Sequence, residues 1–575
     1  MKYKISTPNP SSHFIEIELI VDDIDQEEIF FQLPSWRPGR YELGNFAKNI
    51  QHWNAFDQSG NSLPFKKINK DCWKVKSSGA STVHIRYNYF AAQLDAGACW
   101  LDEDQIYINP VHCCLYVPEK MHEPCFLEFD LPKNYQFATS LIELSDGKLK
   151  AADYHELVDS PVIASPSLQH NSYSVNDINF HVWFNGNCKP DWEKILTDFR
   201  HFTVEQIEMM GSFPVKEFHF LVQMLPVRFH HGVEHLKSTV LALGPGYRLM
   251  SDQLYIDFTG VASHELFHVW NVKTIRPAEM TPYDYTKENY SRLGYVYEGV
   301  TTYYGDLFLV RSGVYSADQF LLEINARVQK HFDNYGRFNL SVADSSFDTW
   351  LDGYSKGIPH RKTSIYDEGC IVALMTDLMI RKKTAGARSL DDVMRNLYED
   401  FGKKKIGYTD HDYISAVENT MGDSVADFFI DFVYGTEPVE KLLLELLHHA
   451  GCDLKKIPSS SYYENRFGFK TNVENGITRV TSVAPNSVAD KASLGADDEI
   501  VAFNEIKVEG NLDELSRYFA DEPVVLTIIT SQKKLKDVVL AISNESYFHQ
   551  YKIMKREDAL PEQKQFFRRW LKCDF

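Results

Sequence analysis

The chain has 575 residues, too many for one hydrophobic core, so about three or four domains are expected. Hydrophobic residues make up 44% and aromatics 13%, a globular composition and not a disordered one. The formal net charge of −20 disfavours nucleic acids and anionic membranes as partners, and no long basic run supplies a nucleic-acid footprint.

The opening stretch MKYKISTPNPSSHFIEIELIVDD places charge and proline where a signal peptide needs an unbroken apolar core. No run approaches the ~18 apolar residues of a membrane span. Nine cysteines without C-x-x-C spacing suit reduced thiols, so a cytoplasmic location is expected. Cys113 and Cys114 beside His112 could form a metal nest, but adjacent cysteines in an alternating stretch point to opposite faces of a strand.

The first 165 or so residues read as β. FIEIELIV, EIFFQL, TVHIRYNYF, FLEFDL and YSVNDINFHVWF are short, β-branched or aromatic, and often alternating. Turn clusters such as WRPGRY and QSGNSLP separate them. This is a β-sandwich-like layer with no evident acid, base or nucleophile cluster.

From Asp191 the texture changes. DWEKILTDFRHFTVEQIEMMG has helical period and stops at Gly211, and FHFLVQML and STVLALG read as strands around the loop PVRFHHGVEH. From Ala317 to about Gly451 the pattern is nearly all helical, with 3.6-residue apolar stripes that mostly end at glycine. A linker near IPSSSYYEN opens a third texture of strands, short helices and Gly/Asp turns, and PEQKQFFRRWLK in the tail reads as a docking helix. The expected domains are 1–168 (β), 169–455 (strands followed by helices), 456–548 (a small β module) and 549–575 (the tail).

Between the strands and the helical run lies SHELFHVWNVKTIRP, in which His264, Glu265 and His268 spell H-E-x-x-H. With 21 histidines a chance match is a real risk, so the surroundings must decide. YIDFTGVASHELFHVW has no proline and carries apolar residues at helical spacing. On a helix His264 and His268 sit one turn apart on one face, the arrangement zinc accepts, and Glu265 is placed to take a proton from water. A catalytic zinc wants a third protein ligand. Glu298, thirty residues downstream among Tyr295, Val296, Tyr297 and Val300, is a poor surface residue and the best candidate; the alternative is an ordinary surface glutamate. Attack on a peptide carbonyl creates an oxyanion, which a tyrosine can stabilise. Tyr366, at a helix start, is one of 31 tyrosines and chemistry alone does not select it.

HELFHVWNVKTIRP together with YEGVTTYY resembles the glycyl aminopeptidase family of gluzincin zinc metallopeptidases, and LPSWRPGRYELGNFAKNI resembles its N-terminal domain. The resemblance implies a multidomain α+β protein: an N-terminal β-domain, a thermolysin-like catalytic domain with a helical bundle, and a C-terminal PDZ domain. It implies one zinc ion held by His264, His268 and Glu298, Glu265 as general base, and Tyr366 as the oxyanion tyrosine. It also implies that Glu234, with Gly232, lies in a Gly-Gly-x-Glu-His segment on a substrate-flanking strand and holds the free α-amine of a peptide. A cation such as Arg228 or Lys237 is the competing partner for Glu234. Two departures stand out: His231 replaces the first glycine of that segment, and Tyr366-Asp367-Glu368-Gly369 replaces Tyr-x-Lys-Gly. Both bear on the family's preference for N-terminal glycine or alanine.

The C-terminal module resembles a PDZ domain whose carboxylate-binding loop holds Phe467, Gly468 and Phe469, so a peptide C-terminus could occupy its groove. A purely structural module is the alternative. The expected activity is therefore zinc-dependent aminopeptidase. The alternatives are a zinc endopeptidase with the same metal site and a catalytically silent peptide-binding scaffold, which would have no reason to keep all four site residues. No G-x-S-x-G elbow or P-loop supports a serine hydrolase or nucleotidase.

Overall fold

A computed structural model describes residues 1–355 and 357–575. The chain divides into two compact units. The first comprises residues 1–316, 346–355 and 388–423; the second comprises 317–345, 356–387 and 424–575.

The first unit begins with the expected β layer. A seven-stranded sheet is built on Lys2–Ser6, Phe14–Asp22 and Thr82–Phe90, whose alternate residues Tyr3, Ile5, Ile15, Ile17 and Leu19 are buried. A four-stranded sheet follows, ending with Val162–Ser165. Pro110–Cys113 is a short helix and not a strand, because Pro110 starts it and Cys114 N–H closes on the Pro110 carbonyl. Cys113 and Cys114 are buried free thiols.

The hairpin YSVNDINFHVWF belongs to another sheet. Strands β1 (Gln169–Val175), β2 (Ile178–Asn185), β3 (Glu217–Met224), β4 (Phe229–Glu234) and β5 (Ser238–Gly244) form five strands in the order β1-β2-β3-β5-β4. β4, read as loop from the sequence, is the edge strand, antiparallel to β5 from Phe229 opposite Gly244 to Glu234 opposite Thr239. Its two histidines and glycine hide the strand pattern, and pairing with the apolar β5 overrides local propensity. Glu234 closes this strand.

One face of the sheet packs against the four-stranded β sheet, through Tyr107, Ala138 and Ile163 on Leu221, Val233 and Val240. The other face carries helices α1 (Trp192–Met210) and α2 (Asp252–Phe267). Phe199 meets Phe220 and Phe258 across that layer, with ring centroids 4.9 and 5.1 Å apart. Helix α3 (Thr301–Arg311), buried at every residue, packs on α2 so closely that a Cβ at Gly305 would lie 3.2 Å from His264 Cα. That glycine sets the distance between the two helices.

The second unit contains helices α4 (Ala317–Asp333) and α5 (Asp367–Lys383) and a PDZ-like sheet around Phe469, Val480, Phe503, Leu526 and Ile528. Its last helix, Pro561–Leu571, buries Phe566, Phe567 and Trp570, as expected of a docking helix. Among the described residues no helix is long and apolar enough to cross a membrane.

The turn after Glu234 is anchored by Asp159, which accepts from His235 Nδ1 (3.1 Å), Leu236 N (2.9 Å) and Lys273 Nζ (2.7 Å). Burial alone would raise this carboxyl, but Lys273 and His235 beside it hold it well below the usual range. With the folded pKa below the unfolded one, the stabilisation is complete above about pH 4 and is lost as acid protonates the group. Asp159→Ala strands the buried Lys273 ammonium and should cost ~3–5 kcal/mol at pH 7. Urea unfolding followed by tryptophan fluorescence would measure this. The gap to wild type should narrow below about pH 4, and a gap independent of pH would refute the assignment.

Candidate active site

Helix α2 carries His264 and Glu265 in its last turn, and His268, with φ −59° and ψ −19°, continues the helical path at its C-cap. The two histidines therefore face the same way, with Nε2 atoms 3.0 Å apart. His268 Nδ1–H donates to the Asn271 carbonyl at 2.6 Å, so Nε2 is the nitrogen that faces His264. The Asn271 amide in turn donates to Val296 O (2.9 Å) and Thr301 Oγ1 (3.0 Å), tying the segment after α2 to the turn that bears Glu298.

Glu298 lies in a wide helical turn, Tyr295–Val300, that runs into α3 and is buried throughout. Its two oxygens have different neighbours. Oε1 accepts from Tyr41 Oη at 3.1 Å, while Oε2 lies 3.5 Å from His268 Nε2 and 3.9 Å from His264 Nε2. Tetrahedral bonds of about 2.0–2.1 Å place ligand atoms roughly 3.3 Å apart. The observed triangle of two imidazole nitrogens and one carboxylate oxygen fits a zinc ion in both donor type and spacing.

Glu234 ends β4 beside this triangle. Ligand atoms of Glu234, Glu265 and His268 lie within 4.8 Å of one another. Glu234 is only 4% exposed, and its Oε1 has no hydrogen-bond partner among the described residues. Lys237 pairs with Glu156 instead. Two glycines permit this crowding: a Cβ on Gly232 would overlap Glu265 Oε1, and one on Gly39 would overlap Glu234 Oε2. Gly39 also has φ +81°, where a side chain is strained.

Charge is unbalanced here. Burial, with Glu234 and Glu298 nearby, pushes the Glu265 carboxyl well up against the opposing pull of His268. Burial would lower His268, but the surrounding carboxylates outweigh it and raise the imidazole to about 10. Three buried carboxylates thus call for positive charge.

The segment from Ser35 to Tyr41 was read from the sequence only as a turn, yet it forms one wall of the site. The Trp36 indole donates to Asp284 O at 2.7 Å and its ring meets Tyr283 and Trp350; Tyr41 then reaches Glu298. The only advance signal was the family resemblance of LPSWRPGRYELGNFAKNI.

Other expected residues stand in the second unit. Tyr366 is the N-cap of α5 and half-buried. Glu368, in place of the family lysine, is buried and bonded to His331 Nδ1 and to Thr363 Oγ1 (3.2 Å). In the PDZ-like module Phe467 and Phe469 are core residues, and Gly468 N–H donates to Glu464 O at 3.1 Å as a helix C-cap.

A further cluster, His181, Glu217 and His219, lies on β2 and β3 and has metal-binding composition. Here the Trp183 indole donates to His219 Nδ1 at 3.2 Å, which puts the ring proton of neutral His219 on Nε2 and spoils it as a ligand.

Protein-family models match three segments: the M61 peptidase N-terminal domain over residues 2–166, the M61 glycyl aminopeptidase over 257–372, and a PDZ domain over 479–530. A solved aminopeptidase N family protein from Idiomarina loihiensis is 26% identical, with 99% of each chain covered and a TM-score of 0.91. An M1 zinc metallopeptidase from Deinococcus radiodurans is 14% identical, with 76% of this chain and 94% of that chain covered and a TM-score of 0.44. A search of curated proteins found no match. Fold and family together define a metallopeptidase with an N-terminal β-domain and a C-terminal PDZ domain. The M61 glycyl aminopeptidase match over residues 257–372 falls on the segment whose motifs carry the resemblance.

Proposed function

We propose that this protein is a zinc aminopeptidase that removes the first residue of short peptides, with one ion held by His264, His268 and Glu298. When bound, zinc supplies Lewis-acid polarisation of the substrate carbonyl and lowers the pKa of water at the site. Glu265 takes the proton from the attacking water and returns it to the departing amine. Tyr41 holds one Glu298 oxygen, leaving the other free to ligate. Tyr366, by the resemblance, donates its hydroxyl to the developing oxyanion.

The observation that carries the aminopeptidase reading is Glu234. A buried carboxylate with an unsatisfied oxygen, next to the general base, is a receptor for a charged α-amine. It also caps the site: a peptide continuing past the amine would meet this carboxylate and Gly39, which disfavours the endopeptidase alternative. The resemblance supports N-terminal glycine or alanine as the preferred residue. For the PDZ module we favour the structural role, since the Gly468 N–H is already spent on a helix cap. We place the protein in the cytoplasm, on the thiol content alone.

Glu234→Ala should retain zinc and lose most of its kcat/KM on free-amine peptides, on the order of 10² or more for a buried charged pair. N-acetylation of the substrate should cost the wild type a similar factor, and the two losses should not add, because both remove one contact. Equal cleavage of blocked and free peptides by the wild type would make the protein an endopeptidase. Tyr366→Phe should lower kcat by on the order of 10²–10³ with a much smaller change in KM. An unchanged kcat would transfer the oxyanion role to another donor, His360 being the nearest in sequence to examine.

A further inference from the structure

Arg37 is 4% exposed, yet no carboxylate lies within ion-pair distance of it among the described residues; its guanidinium donates only to Pro38 O, at 3.2 Å. A buried guanidinium without an acid partner is costly unless a ligand completes it. It lines a cavity of about 330 Å³ in the first unit, together with Arg40, Lys48, Asp95 and His112. The cavity is shaped around it: a Cβ on Gly97 would overlap the guanidinium, so the glycine makes room for the charge.

Among the described residues the acids of this cavity form no salt bridge with Arg37, although its charge helps hold the Asp95 carboxyl below the usual range. Asp95 accepts from Gly97 N (2.7 Å) and Gln93 Nε2 (2.5 Å), and Glu42 pairs with Arg40 at 2.5 Å. His112, stacked on Phe46 with ring centroids 3.8 Å apart, is 8% exposed and its Nε2 has no hydrogen-bond partner among the described residues. Burial and the nearby cations Arg37, Lys48 and Arg40 hold this ring down to about 3, so it adds no charge but offers a polar atom. Arg37, Lys48 and His112 thus give the cavity the character of an anion site.

Its position relates it to the candidate active site. Along edge strand β4, Glu234 comes last, Gly232 lies against Glu265, and His231 Nδ1 lies 4.0 Å from Asp95 Oδ1 at the cavity wall. The charge of Arg37 acts on both His231 and Glu265. A peptide with its amine at Glu234 and its first peptide bond over Glu265 therefore sends its leaving part toward His231. Each extended residue advances it about 3.3 Å.

We propose that this cavity is a carboxylate subsite, in which Arg37 receives the C-terminal carboxylate of a di- or tripeptide, so that the enzyme selects short peptides by holding both ends. The inference rests on Glu234 as the amine anchor and adds an opposite anchor from the N-terminal domain. It also accounts for His231 in place of glycine: the imidazole fills the space between the peptide path and Asp95.

The test compares trialanine with its C-terminal amide, using zinc-loaded full-length protein. The wild type should favour the free acid by about tenfold or more in kcat/KM, chiefly through KM, as expected for a charge-assisted contact. Arg37→Gln should bring that ratio to about one, and Arg37→Lys, which keeps the charge without the fork, should leave an intermediate preference. The ratio is internal to each protein, so partial misfolding of a variant does not move it. A wild-type ratio near one, or a preference that survives in Arg37→Gln, would overturn the inference. Alanyl-arylamide, which carries no carboxylate, separates the two readings. Cleavage of the arylamide with a ratio of one rejects only the carboxylate subsite, whereas no cleavage of arylamide or peptide rejects the aminopeptidase reading and the subsite with it.

Discussion

Three carboxylates, those of Glu234, Glu265 and Glu298, are buried around two imidazoles, and the rest of the first unit is arranged to keep them there. Like charges in a low-dielectric pocket repel strongly, so such a cluster persists only where cations or protons compensate it. The spacing of His264, His268 and Glu298 suits a divalent ion on one side. The unsatisfied Glu234 oxygen suits an ammonium on the other. We read the pocket as built for two positive charges, one resident and one brought by the substrate.

That reading makes the N-terminal β-domain part of the enzyme. Tyr41 occupies one oxygen of Glu298, Gly39 closes on Glu234, and Arg37 faces the cavity beyond His231. A single seven-residue stretch, Ser35 to Tyr41, thus reaches Glu298, closes on Glu234 and lines the cavity. The Trp36 indole and its aromatic neighbours Tyr283 and Trp350 lock that stretch in place, which is the supporting shell that precise sites need.

Local patterns in the sequence made part of this legible. The helix under H-E-x-x-H follows from apolar spacing and the absence of proline, and the i, i+4 histidines then converge without further information. Glu298 was legible as an acid misplaced among apolar residues. What was hidden depends on contacts between distant residues. Ser35 to Tyr41 carries only turn chemistry, and its partners Asp284, Glu298 and Trp350 lie some 250 to 310 positions away. Strand β4 was hidden because the two histidines and the glycine of FHHGVE interrupt the strand pattern, and the segment gains its conformation from pairing with β5. Glu368 looked like a puzzling replacement for lysine; in the folded chain it pairs with His331 on α4, a partner no local pattern could supply.

The central claim is that the resident cation sits among His264, His268 and Glu298. Anomalous diffraction at the zinc edge, on crystals of the purified protein, tests it most directly. The account predicts a peak about 2.0–2.1 Å from His264 Nε2, His268 Nε2 and Glu298 Oε2. A peak instead at His181, Glu217 and His219, with none beside His268, would contradict it.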